Sequence, residues 1–236
     1  MSVTEIRSDL VRAGRVLSAT GLVSAFGHVS ARVGDGMLLI TPPRPLGTVT
    51  ESALLALPVT GEKLPAGVPA EAWIHRAVAA ARPDVGAVCR AQPFHANAAT
   101  ALGVAIRPLH GQGALLGGRT PVLDDARLVR APDRAATLAE TLGDAFGLVM
   151  RGNGAVTVGH TVGEAVARMW VLEESARLAV ISSAAGTARP LSEAEQRAWQ
   201  DAGTELLGRI WAYLASTPDT TPTSPADSPT PREHTP

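Results

Sequence analysis

Two short glycine-bearing turns constrain this chain more than any other feature. Gly34-Asp35-Gly36 separates β-type runs at 29–33 and 37–41, and Arg151-Gly152-Asn153-Gly154 separates runs at 148–150 and 155–158. Turns this short, with glycine or asparagine where φ must turn positive, close hairpins, and a hairpin makes its strands antiparallel. A doubly wound parallel sheet needs long crossovers between strands and does not fit these links, so a mixed α/β or α+β chain is predicted.

Helices fill the intervals. Ile6, Leu10, Val11 and Leu17 recur near helical spacing over 3–18, with charged residues between them. Pro42, Pro43 and Pro45 end the second strand, because proline brings no amide to a ladder. A helix carrying Trp73, Ile74, Ala77 and Val78 opens at Pro69 and Glu71 and stops before Arg82-Pro83-Asp84. A buried strand at 86–89, a small-residue helix at 93–102 and a helix at 133–142 follow, the last with Asp133 placed to accept amide hydrogen bonds at its start. Thr161-Val162-Gly163-Glu164 has capping-box spacing and opens a helix to about 184; Ser192 and Glu195 repeat the device for one running to about 215.

With 236 residues, 45% of them hydrophobic, the chain has enough for one substantial core. Residues 1–215 are expected to form one domain. The stretch 216–236, rich in proline, threonine and serine, is expected to be a disordered tail. Lys and Arg total 21 against 22 Asp and Glu, a net charge of −1, which leaves no basic field for nucleic acid or an anionic membrane. The first residues lack the basic-then-apolar order of a signal peptide and no stretch is long enough to span a bilayer, so a cytoplasmic location is expected. Cys89, the one cysteine, sits in the strand-like run 85–89 and reads as a small core residue before it reads as a reactive thiol.

Four segments carry a resemblance. They are Gly27-His28-Val29-Ser30-Ala31-Arg32; Ile40-Thr41-Pro42-Pro43; Glu71-Ala72-Trp73-Ile74-His75 with Arg82-Pro83-Asp84-Val85-Gly86-Ala87-Val88; and Gly152-Asn153-Gly154-Ala155-Val156-Thr157-Val158-Gly159 leading to Glu164-Ala165. In this order the chain resembles the class II aldolase/adducin family over about 6–185. The resemblance implies a three-layer α/β/α fold around a mostly antiparallel sheet. It also implies a homo-oligomer, with a tetramer favoured, acting on a small-molecule substrate.

Members of this family that cleave, epimerise or decarboxylate usually hold a divalent metal through three histidines, since a Lewis acid stabilises the oxyanion that develops beside the broken bond. At those positions this chain has Arg90, Gln92 and Asn153. None is a good ligand for a zinc-type site, and arginine offers no lone pair. No metal and no other cofactor is therefore expected. Pro43-Arg44 and Pro69-Ala70 replace the small hydroxyl or glycine residues of the family's phosphate cradle, which argues against a sugar phosphate. The Gly-His-x-Ser-x-Arg and Thr-Pro-Pro segments look more like the branch acting on hydroxy-aromatic or heteroaromatic carboxylates.

Glu71 stands where the resemblance places the acid/base group, although a helix-start carboxylate is also favoured by the helix dipole alone. Arg90 is either a fixed cation standing where the metal would lie or an ordinary ion-pairing residue at a strand end. His95, just past Gln92, is a candidate proton donor. His28, Ser30, Thr41, Gln92 and Asn153 complete the expected substrate-binding set, with turn formation an equally simple role for Asn153. His75, four residues after Glu71, reads as structural support. His110 is a weaker site candidate and His160 a turn residue. The expected function is a carbon–carbon lyase, by decarboxylation or retro-aldol cleavage of a non-phosphorylated substrate, with a repurposed isomerase, dehydratase or cyclase of specialised metabolism as the alternative. A non-catalytic adducin-like binding or scaffold protein is the rival from another class.

Overall fold

The computed structural model describes residues 1–34 and 36–216. Its first helix, α1 (Val3–Ala19), starts with a capping box between Ser2 and Glu5 and buries Ile6, Leu10, Val11 and Leu17. β1 (His28–Gly34) and β2 (Met37–Ile40) then pair antiparallel, as their short connection requires. β3 (Leu55–Pro58), which has no clear signature in the sequence, is a four-residue edge strand on β2. α2 (Ala72–Ala81), β4 (Ala87–Ala91) and α3 (Phe94–Ala101) follow, and then β5 (Val122–Leu123), two residues long. α4 (Pro132–Leu142) leads to the second hairpin, β6 (Gly147–Met150) and β7 (Gly154–Gly159), and to the 24-residue helix α5 (Val162–Ala185).

Two expectations need correction. Asp133 does not cap α4: Pro132 takes the first helical position, the cap falls on Ala131, and Asp133 lies within the first turn. The single helix expected from Ser192 is two, α6 (Glu193–Asp201) and α7 (Gly203–Ser216), because the chain breaks at Ala202 before a poor helix former. Ser216 is the last residue of α7, and the rest of the tail expected from there lies outside the described residues.

The seven strands form one sheet in the order β3-β2-β1-β4-β7-β6-β5, antiparallel at every pairing except β5 with β6. Alternation along the strands divides its faces. Val29, Ala31, Cys89 and Ala155 pack into a core shared with α1, α3, α5 and α7, whereas Val88, Leu148, Val156 and Val158 meet Ile74 and Val78 of α2 and Leu138 and Leu142 of α4. The result is a three-layer α/β/α arrangement. Cys89 is fully covered in the first of these cores, and burial pushes its thiol up to about 12, so it is a core residue. No described helix is long and apolar enough to cross a membrane.

Candidate functional site

The face that carries Val88 and Val156 also carries polar residues. His28 pairs with Arg90, Ser30 with Val88, and Arg90 with Val156, so the period of two sets His28, Ser30 and Arg90 beneath α2 at the middle of the sheet. α2 contributes His75, whose Nδ1 lies 2.7 Å from Ser30 Oγ. The His28 and His75 rings meet edge to face with centroids 5.7 Å apart. Both imidazoles are kept neutral. Burial first, and then the Arg90 charge, lowers His28 to about 3; burial, His28 and Arg90 hold His75 well below the ordinary histidine range.

Arg90 is 3% exposed. Its Nη2 donates to the backbone oxygen and to Oδ1 of Asn153, each at 3.0 Å, and its buried Nε has no partner among the described residues. Burial pulls the guanidinium below its usual value, while Glu71 opposes that shift and Arg130 adds to it. Asn153 is fixed by a tight turn. Its backbone N–H donates to Met150 O, and the next residue, Gly154, has φ +90° and passes so close to Ala91 that a Cβ there would lie 2.2 Å from the Ala91 carbonyl oxygen.

Glu71 occupies the cap position of α2 but makes no capping bond. Its Oε1 accepts from Arg130 Nε at 2.7 Å, and its Oε2 lies 4.0 Å from His28 Nε2. With His28 neutral, that second contact is a polar approach and not an ion pair. Glu71, His28, Arg90, Asn153 and Arg130 thus form one group of two guanidiniums, one carboxylate, a neutral imidazole and an amide. Such a group can hold an anionic oxygen and carry a proton beside it.

Other expected site residues are placed differently. Ser30 and Thr41 are fully covered, and their hydroxyls are committed, Ser30 to His75 and Thr41 to the amide of Val29 at 3.0 Å. In this arrangement they orient a ring and a strand end. His95 is anchored away from the Glu71 group: its amide and Nδ1 both bond to Glu173 of α5, the ring at 2.8 Å. Gln92 donates its backbone N–H to Leu22 O just past the end of β4. His110 bonds to Ser175 and His160 to Asp84 O, both outside the group.

The family model described as Class II Aldolase and Adducin N-terminal domain matches residues 8–180. The chain belongs to this family. A 3,4-dihydroxyphthalate decarboxylase of Rhodococcus jostii (strain RHA1) is 30% identical over 238 residues, covering 90% of this chain and 97% of the relative. A 3,4-dihydroxyphthalate decarboxylase of Terrabacter sp. (strain DBF63) is 34% identical over 209 residues, covering 81% and 87%. Among solved structures, an L-fuculose-1-phosphate aldolase from Thermus thermophilus superposes with a TM-score of 0.70 at 30% identity, over 79% of this chain and 100% of that one.

The class II aldolase resemblance brings with it a divalent metal, and the residues at the expected ligand positions do not fit one. Arg90 has no lone pair to give, and the Asn153 side-chain oxygen accepts from Arg90. Among the described residues no group of three or more His, Cys, Asp or Glu is arranged to hold a metal ion.

Sequence reasoning missed Arg130 and Glu173. Arg130 is 59 residues from Glu71 and belongs to no motif; only Pro132, which fixes where α4 begins, bears on its position. Glu173 lies inside a helix whose sequence speaks through its apolar face, where a carboxylate gives no sign that it caps another helix.

Proposed function

We propose that the protein is a decarboxylase of non-phosphorylated hydroxyaryl carboxylates that works without a divalent metal, with Glu71 as proton carrier and Arg90 as anion binder. The observation that carries this reading is the Arg90 guanidinium: covered, charged, with an Nε that has no partner among the described residues, and grouped with Glu71. The naming of the relatives as decarboxylases of a hydroxylated aromatic acid supports it. So does the replacement of the phosphate cradle by Pro43-Arg44 and Pro69-Ala70.

The chemistry follows from a ring hydroxyl ortho or para to the carboxylate, which makes the ring carbon bearing that carboxylate basic. The protonated Glu71 carboxyl gives its proton to that carbon, forming the new C–H bond. The bond to the carboxylate then breaks, its electron pair returns to the ring, and CO2 leaves. Glu71 ends as a carboxylate and regains a proton from solvent. Arg90 binds and orients the anionic substrate through a charge-assisted hydrogen bond strengthened by burial. Oligomeric and cytoplasmic placement belongs to the same reading. Phe26 and Phe94, 62% and 75% exposed and next in sequence to site segments, support a face covered by another subunit of a homotetramer.

The test is CO2 release from a panel of hydroxylated benzoates and phthalates by tag-free protein in excess chelator. Turnover that persists in chelator and falls about 10²–10⁴-fold in Glu71→Gln supports the reading. No turnover across the panel overturns it, as does turnover that chelator abolishes and a divalent metal restores. Thermal stabilisation by a panel member that is not consumed would mark a binding protein instead.

A further inference from the structure

Arg130 enters the site from the connection between β5 and α4, outside every segment that carries the family resemblance. Its backbone is fixed on both sides. Val129 is buried in the core between the sheet, α2 and α4, and Ala131 and Pro132 open α4. The side chain is half exposed, at 52%, while Glu71 beneath it is 14% exposed. Among the described residues Glu71 is the one acceptor the guanidinium has, through Nε at 2.7 Å, which leaves the outer N–H groups of the fork for a ligand.

The charges do not balance as they stand. Two guanidiniums, Arg90 and Arg130, share one carboxylate, and the neighbouring His28 and His75 are neutral. The excess is one positive charge when Glu71 is ionised and two when it carries a proton, the form that donates in the reaction above. A substrate with a single carboxylate matches the first state only.

We propose that Arg130 reads a second, non-reacting carboxylate on the substrate, releasing Glu71 as it does so, and thereby selects aromatic dicarboxylates over monocarboxylates. The geometry suits the role, because an arginine fork can accept a carboxylate in paired hydrogen bonds and sits at the solvent side where a ring substituent would arrive. Exchanging Glu71 for the substrate's carboxylate also leaves Glu71 free to move its proton. This rests on the decarboxylase reading and on the roles of Glu71 and Arg90 within it.

Phthalate and benzoate separate the possibilities, since they differ by one carboxylate and lack the ring hydroxyl that the reaction needs. Calorimetric titration of wild type, Arg130→Ala and Arg130→Lys with both is expected to give a phthalate preference of about tenfold or more in wild type. Arg130→Ala should lose about tenfold more affinity for phthalate than for benzoate, and Arg130→Lys should keep most of the preference by keeping the charge. Both variants alter a half-exposed side chain, and their unfolding midpoints report directly whether the fold is retained. Wild type without a phthalate preference, or Arg130→Ala that keeps it, overturns the proposal. If hydroxybenzoates are decarboxylated while phthalate is not preferred, the Arg130 role fails alone. If nothing is decarboxylated yet the preference exists and vanishes in Arg130→Ala, the decarboxylase reading fails and the carboxylate site stands.

Discussion

One guanidinium nitrogen of Arg90 donates to both oxygens of Asn153, tying the end of β4 to the turn between β6 and β7. These two residues stand where the family resemblance expects two metal ligands. On the metal-independent reading proposed above, the Arg90 charge takes the place of the one a cation would bring.

Mutual dependence has a thermodynamic signature. Asn153→Ala removes one of two acceptors from a buried charge and is expected to cost about 1–3 kcal/mol. Arg90→Ala strands the Asn153 amide oxygen, so the double variant should be less destabilised than the sum of the singles, by about 0.5–3 kcal/mol. Urea unfolding of the four proteins measures this coupling. Strict additivity would show that the two contacts contribute nothing jointly.

The same substitution of roles predicts a gain of function in metal binding. Histidines at all three positions, Arg90→His with Gln92→His and Asn153→His, are expected to bind about one zinc per chain, because three imidazole nitrogens then replace a cation and two weakly ligating amides. Elemental mass spectrometry after incubation with zinc should find wild type substoichiometric. Wild-type protein that holds close to one metal per chain would place the cation elsewhere and remove the basis for a metal-free reaction.

How much of this was legible in the sequence depended on whether a signal was local. The two hairpins were readable because Gly36, Gly152 and Gly154 mark the turns where positive φ is required, and those turns alone make β1 with β2 and β6 with β7 antiparallel. β3 and β5 were not, since four residues ending in proline and two residues on an outer edge are too short to show a period. Glu71, Arg90 and Asn153 were reachable through motif spacing. Their partners were not, because Arg130 meets Glu71 across 59 residues and Glu173 meets His95 across 78, distances over which only the fold connects them.

The buried His28 gives stability a defined pH dependence. Burial, and secondarily Arg90, lowers it to about 3 in the folded protein, against 6.5 for a free histidine. Between those values the unfolded chain binds more protons, so stability rises with pH there; the contribution is complete above about 6.5 and is lost as pH falls toward 3. His75 shifts in the same direction. Each such histidine adds at most about 1.4 kcal/mol per pH unit to the slope. Urea midpoints between pH 7.5 and 5 are expected to fall less steeply in His28→Gln than in wild type, by up to that amount. Parallel profiles would show that His28 binds protons alike in both states.

Glu173 is the carboxylate most committed to holding a helix start. From α5 it accepts from the amides of His95 at 3.0 Å and Ala96 at 3.2 Å, and from the His95 ring, all at the first turn of α3, where Pro93 supplies no capping side chain. Amides at a helix start otherwise lack partners, and a negative charge there also meets the favourable end of the dipole. Glu173→Ala is therefore expected to destabilise the protein by about 1–2 kcal/mol, as loss of a helix cap does elsewhere. Glu173→Gln keeps one acceptor oxygen and should cost less. Hydrogen exchange localises the effect: the amides of α3 should lose protection in Glu173→Ala while those of β4 and β7 change only with global stability. An unaltered α3 together with a smaller loss than in Glu173→Gln would mean that the charge itself is a burden at this place, and that the cap contributes less than its burial costs.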